Sequence, residues 1–194
     1  MRKIKKHAFT LIELLMVIAI IGILAGILIP AIGKVRESAN IAASKTQLSG
    51  YLTAIGSFKG EYSYYPFTNL LDSEERLDLS DAANSKIFIE TLSARTADTD
   101  YAKTSGEGNR RQIEFYTFDR KEFWEDESGN LRQDVLADRF NNKNIVIAID
   151  ADGDGLIEGL PDPDDPQTDT VDIRTKVTAY VTSGDDGSPD YYLY

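Results

Sequence analysis

The sequence predicts an α+β protein: one long N-terminal helix whose second half packs on a small antiparallel sheet in a globular head. Three observations carry this. No charged residue stands between Glu13 and Lys34, an apolar run of about 20 residues and, as a helix, roughly 30 Å, the thickness of a bilayer's hydrocarbon core. Beyond it Ile32, Val35, Ala39, Ala42, Leu48, Tyr51, Leu52, Ile55 and Phe58 recur mostly at spacings of three and four, with Lys34, Arg36, Glu37, Lys45 and Gln47 between them, so the helix continues with one apolar face. In the C-terminal third, apolar runs at 144–149 and 176–182 are separated by stretches rich in Asp and Gly, the pattern of strands joined by turns.

The first half of the helix reads as a transmembrane segment. Arg2, Lys3, Lys5 and Lys6 precede it, which keeps the N-terminus cytoplasmic and sends the head across the membrane. Glu13 is the unusual residue, because a carboxylate at the start of a spanning helix is costly without a partner. Gly22 and Gly26 have poor helix propensity and Pro30 cannot donate to the carbonyl of Gly26, so 22–30 is the weakest part of the helix. A secretory signal peptide with Ala31 and Gly33 at its cleavage site is a competing reading. Against it, Glu13 would interrupt the apolar core and the helical pattern runs on past Gly33. A plain membrane anchor leaves Glu13 without a purpose.

Lys5-Lys6-His7-Ala8 followed by Phe9-Thr10-Leu11-Ile12-Glu13-Leu14-Leu15 resembles the class III leader of type IV pilins and type II secretion pseudopilins. In that family a membrane-embedded prepilin peptidase cuts before the apolar run and methylates the new N-terminal residue. The resemblance implies cleavage between Ala8 and Phe9, with Ala8 where the family usually has Gly, N-methylation of Phe9, and a pilin-like fold. The expected organisation is a leader at 1–8, a transmembrane and assembly helix at 9–33, its amphipathic continuation at 34–60, and a head at 61–194. Cleavage frees an α-amine that stays cationic after methylation. In a stack of parallel subunits that amine can sit beside Glu13 of a neighbour, and because either charge alone is costly to bury, the pair fixes axial register more than it adds stability. Glu13, Gly22 and Pro30 are the expected assembly residues, and in the resembling filaments the 22–30 segment unwinds.

The resemblance also implies partners and a place. The chain is expected as a single-pass protein of a bacterial inner membrane, head extracytoplasmic, polymerising through its N-terminal helices with an inner-membrane assembly platform and minor pseudopilins. The function expected is that of the major pseudopilin of a type II secretion system. A type IV pilus subunit and a monomeric, membrane-anchored, calcium-dependent binding protein are the alternatives. Loss of residues 1–8 leaves 17 cations against 32 acids, a net charge of −15, which repels nucleic acid and invites divalent cations. The chain has no cysteine; many type IV pilins close their C-terminal region with a disulfide, so its absence tilts the reading toward the pseudopilins.

In the head, Gly60 is expected to end the long helix, and residues 61–140 read as mostly irregular. Glu61-Tyr62-Ser63-Tyr64-Tyr65-Pro66 resembles the Tyr-Pro turn that follows that helix in pseudopilins. Residues 85–94 read as a short helix with Ile87, Phe88 and Leu92 inward, 97–109 as a polar loop, and 112–118 as a strand with Ile113 and Phe115 on one face. Phe123 and Trp124 are expected to anchor the acidic stretch around them.

Two acidic runs are candidate calcium sites. Asp150, Asp152, Asp154 and Gly155 match positions one, three, five and six of an EF-hand loop, Leu156 would offer its carbonyl and Glu158 falls at position nine. Position twelve is Pro161, so this is only the first half of that motif, to be completed from elsewhere, with Asp162, Asp164, Asp165, Asp169 and Asp172 nearby. The second run, around Asp185, Asp186 and Asp190, resembles the Ser-Gly-x-Asp-Gly stretch of major pseudopilins, where bound calcium orders a loop. Which run holds the ion stays open at this point. Catalysis has little to draw on: the single histidine, His7, lies in the leader, and without cysteine the usual bases and thiol nucleophiles are missing.

Overall fold

The computed structural model describes residues 10–98, 102–183 and 187–194. The chain divides into two compact units, Met1–Ala39 and Asn40–Tyr194, and helix α1, Leu11–Tyr62, contributes to both. Among the described residues of the first unit the apolar side chains are left uncovered: Leu11, Ile12, Leu15, Ile23, Ile27 and Ile29 are all more than three-fifths exposed. The backbone stays helical through Gly22, Gly26 and Pro30. The helix is long and apolar enough to cross a membrane, and none of its apolar window is buried.

In the second unit α1 supplies Leu48, Tyr51, Ala54, Ile55 and Phe58, each almost fully buried. Against this stripe lies a four-stranded antiparallel sheet in the order β1 (Arg76–Asp78), β4 (Ile145–Ile149), β7 (Val177–Val181), β8 (Tyr191–Tyr192). Alternation along the strands sends Leu77, Ile145, Ile147, Ile149, Ala179, Val181 and Tyr191 into the core they share with α1. Ala148 and Tyr180 point the other way, onto Ile157 and Leu160 of a hairpin formed by β5 (Ile157–Pro161) and β6 (Thr170–Ile173). That second layer explains why β4 is apolar at every position: both of its faces are covered. The hydroxyl of Tyr194 donates to the Pro161 carbonyl at 2.7 Å and ties the chain end to the hairpin.

Helix α2, Ala82–Ser93, starts on Asp81, whose carboxylate accepts from the N–H groups of Ala83 and Asn84. It buries Phe88, Ile89 and Leu92, with Ile87 only partly covered, so Ile89 takes the inward place expected of Ile87. Three further expectations are corrected. Helix α1 runs past Gly60 to Tyr62, and Ser63, at φ 66°, takes the left-handed position, its N–H donating to the Lys59 carbonyl at 2.8 Å. Residues 112–118 form no strand; the N–H groups of Phe115 and Tyr116 both donate to the carbonyl of Leu92, which holds them as an extended strap across the end of α2. The stretch 61–140, expected to be irregular, also holds β1 and a ribbon of β2 (Phe123–Glu125) and β3 (Leu131–Leu136). Phe123 joins the core, while Trp124 is half-exposed beneath the Lys143 ammonium.

The aromatic residues after α1 fold back on it. Phe58 contacts Tyr62, Tyr64 and Phe115, and Lys59 sits 3.5 Å over the ring of Tyr65. Asn109, in the stretch read as a polar loop, is completely buried. Its Nδ2 donates to the carbonyls of Thr91 and Ile113, and its Oδ1 accepts from the Tyr62 hydroxyl and the Ile113 N–H, so every hydrogen-bonding position of the side chain is used.

Candidate functional site

Of the two regions singled out by sequence, the N-terminal one begins at the first described residue. Thr10 caps α1: its Oγ1 accepts the Glu13 N–H at 3.3 Å, while Glu13 Oε2 accepts from the Thr10 N–H and hydroxyl, each at 2.8 Å. This is a capping box. Its Thr-x-x-Glu signature stands in the sequence, so Glu13 has a local role in the single chain besides the one expected in assembly. Ala8 and Phe9, the expected cleavage and methylation residues, lie outside the described residues. A methyl placed on Gly22 or Gly26 would meet no atom within 4 Å, so the chain itself leaves space around both.

The acidic region is built by strand register. β1 pairs with β4 so that Arg76 stands opposite Ala148, and the residues just outside the pair, Glu75 and Asp150, are thereby brought together. Before β1 the chain makes a tight turn in which Asp72 Oδ1 accepts the N–H groups of Glu74 and Arg76. Glu75 adopts φ 61° there, and its Oε1 accepts from the N–H groups of Ala151 and Asp152 at 3.0 Å each. Asp150 is 4% exposed, and its two oxygens take the N–H groups of Gly153 (2.8 Å) and Gly155 (3.1 Å). Both glycines sit at φ 83°, where a side chain would be strained.

One oxygen each from Glu75, Asp150 and Asp152 lies within 4.8 Å of the others, close enough to hold a metal ion together. The third member of the trio is therefore Glu75 rather than Asp154. Asp154, Leu156 and Glu158 instead line the adjoining cleft of about 760 Å³, together with Glu74, Glu75, Asp152 and Asp172. Asp154 Oδ1 is engaged by the Leu156 N–H. Arg76 holds two residues of the cleft's lining: its guanidinium pairs with Glu74 at 2.5 Å and bonds the carbonyl of Gly159. Of the second acidic run, Asp185 and Asp186 lie outside the described residues, and Asp190 precedes β8 and is not part of the trio. Nothing in the sequence flags Glu75 as a partner of the 150–155 loop, 75 positions away; only the β1–β4 pairing does.

The comparisons with known proteins bear on the N-terminal region first. A family model described as the prokaryotic N-terminal methylation motif matches residues 3–29. The type IV major pilin protein PilA of Myxococcus xanthus is 44% identical over 61 residues, which is 31% of this chain and 28% of that protein. The type II secretion system core protein G of Escherichia coli is 28% identical over 102 residues, 50% of this chain and 70% of that protein. The chain thus spans less than a third of the first relative and somewhat over two thirds of the second. No solved structure matches. These findings agree with the pilin-like resemblance carried by residues 5–15: the chain bears a pilin-type methylation motif on an apolar, membrane-anchoring helix, and it is similar to proteins of both the pilus and the secretion branch.

Proposed function

We propose, from the pilin-type N-terminus and the longer of the two matches, that this chain is the major pseudopilin of a type II secretion system, a structural subunit and not an enzyme. It is held in the inner membrane by the apolar half of α1 with the second unit on the extracytoplasmic side. A prepilin peptidase cuts between Ala8 and Phe9 and methylates Phe9. The observation that carries the choice of branch is the extent of the match to the secretion protein, which runs well beyond the N-terminal helix. A type IV pilus subunit is the second reading, favoured by the higher identity to the pilin over a shorter stretch.

Assembly uses the exposed apolar surface of α1. In water, this surface would cost about 25 cal/mol for each Å² left uncovered; in a filament it is covered by the same helix of other subunits. Glu13, held by Thr10 in the single chain, takes the methylated amine of a neighbour as its counter-charge, which sets the axial step. Gly22, Gly26 and Pro30 provide the segment where the packed helices can stretch. The platform proteins and minor pseudopilins of the secretion system are the expected partners in extracting the subunit from the membrane.

The trio Glu75, Asp150 and Asp152 is proposed to bind calcium, a hard cation that takes six to eight oxygens, with the remaining ligands from water and backbone carbonyls. The ion would clamp the turn before β1 to the loop after β4. Substituting Glu13→Ala tests the assembly reading: membrane insertion should persist while sheared filaments disappear under electron microscopy. Filament at wild-type yield would sink it. Restored export of secreted enzymes, rather than surface motility, in a strain lacking its own major pseudopilin separates the two branches.

A further inference from the structure

A set of buried polar side chains beneath α1 belongs to neither site described above. Ser44, Gln47 and Tyr51 follow one another at spacings of three and four, all at most 4% exposed. Each is bonded to the segment that runs from the 112–118 strap to the end of β3 and just beyond. Ser44 Oγ accepts the N–H of Arg139 at 3.1 Å. Gln47 Nε2 donates to the Ala137 carbonyl at 2.9 Å and to the Tyr51 hydroxyl at 2.8 Å. The Tyr51 hydroxyl in turn donates to Glu122 Oε2 at 2.9 Å.

Glu122 is the centre of this arrangement. It is 4% exposed and closes a single 3-10 turn, Arg120–Glu122, whose first N–H groups are capped by Asp119. Besides Tyr51, both of its oxygens accept from the Tyr116 hydroxyl at 3.2 Å, and Oε1 accepts the Asp119 N–H at 3.4 Å. Its hydrogen-bond donors are all uncharged, and among the described residues it makes no ion pair. The charged and titratable groups facing it are Tyr51 from α1, Tyr116 from the strap, Asp119 from its own turn and Arg139 from beyond β3. Arg139 acts on it only through space.

We infer that Glu122 is a pH-responsive latch: uncharged, it fastens the 44–51 face of α1 to the segment beneath it, and ionised, it leaves a buried charge against neutral donors and loosens that fastening. An uncharged carboxyl still accepts the Tyr51 hydroxyl at Oε2, and with its proton on Oε1 it donates to the Tyr116 oxygen 3.2 Å away, without the desolvation cost of an ion. The direction of its titration agrees. Burial, the largest influence, raises the Glu122 carboxyl above its ordinary value, while the bonds from Tyr51, Asp119 and Tyr116 and the field of Arg139 pull it down. A raised folded-state value contributes stability that is complete below the ordinary value and is lost as pH rises through the raised one. Burial and the nearby carboxylate also push both phenols up, so both stay protonated throughout.

The test is hydrogen exchange by mass spectrometry on the full chain in detergent micelles, from about pH 4 to about pH 8, corrected for intrinsic exchange. Peptides covering 44–58 and 116–139 should open more readily in the wild type as pH rises, about tenfold for each unit by which the folded value exceeds the unfolded one. Glu122→Gln, which keeps the acceptor but cannot ionise, should show no such rise. Parallel profiles for the two proteins, or greater wild-type protection at higher pH, would overturn the proposal. Should Glu122→Gln not fold, Arg139→Gln decides: removing the cation that favours the charged form must move the wild-type transition to higher pH, and an unmoved transition refutes the latch.

Discussion

Replacing Asp150 by Ala probes the acidic loop most directly. The carboxylate is 4% exposed and is the acceptor for two loop N–H groups, those of Gly153 and Gly155. The two left-handed glycines allow the loop to curl around it. A hydrogen bond to a charged group contributes about 1.5–3 kcal/mol; water can reach part of this loop, so the pair together is worth about 2–3 kcal/mol. For a chain of this size each kcal/mol moves the midpoint by about 2–4 °C, so Asp150→Ala should melt about 5–10 °C lower. The measurement is a circular-dichroism melt of the full chain in detergent, first with chelator and then with calcium. Calcium at a hundredfold excess over its Kd should stabilise the wild type by about 2.7 kcal/mol and Asp150→Ala not at all. Asp152→Ala separates the two roles, since Asp152 Oδ1 holds only the exposed Asp154 N–H: it should melt within about 1 kcal/mol of the wild type under chelator yet gain nothing from calcium. A melt of Asp150→Ala within about 0.5 kcal/mol of wild type under chelator would refute the loop argument, and an equal calcium gain in Asp152→Ala would refute the metal site.

Two further outcomes are expected. Asn109→Ala strips four hydrogen bonds from a fully buried position and leaves the Thr91 and Ile113 groups unpaired, so urea denaturation should give a loss of about 3 kcal/mol or more. Ala8→Leu should leave the precursor unprocessed, read by mass spectrometry of the intact chain; processing of that variant at wild-type yield would contradict the need for a small residue at position 8, and a mature wild-type start anywhere other than Phe9 would contradict the assigned cleavage site.

Composition and periodicity were enough to read the long helix, because a 20-residue uncharged run and a stripe at spacings of three and four are properties of the local chain. The same holds for β4 and β7, whose apolar runs appear within a residue or two of where they were expected. The errors have local causes too. Gly60 suits a helix stop, yet the helix goes on because Phe58 and Tyr62 pack on Tyr64 and Phe115, and Ser63 accepts the left-handed turn instead. The alternation at 112–118 suits a strand, but the Leu92 carbonyl takes the N–H groups of Phe115 and Tyr116 and Asn109 takes those of Gln112 and Ile113, so no neighbouring strand is engaged.

Local pattern alone therefore specifies the membrane-type helix, its amphipathic continuation and the Asp-Gly loop after β4. Which distant groups meet is set by the packing of the elements. Glu75 reaches Asp150 through the register of β1 against β4, and Glu122 reaches Tyr51 because a 3-10 turn is folded beneath α1. The physical reason is that spacing reports which side of an element a residue takes, whereas the pairing of elements far apart in the chain is selected by the burial of all their apolar faces at once.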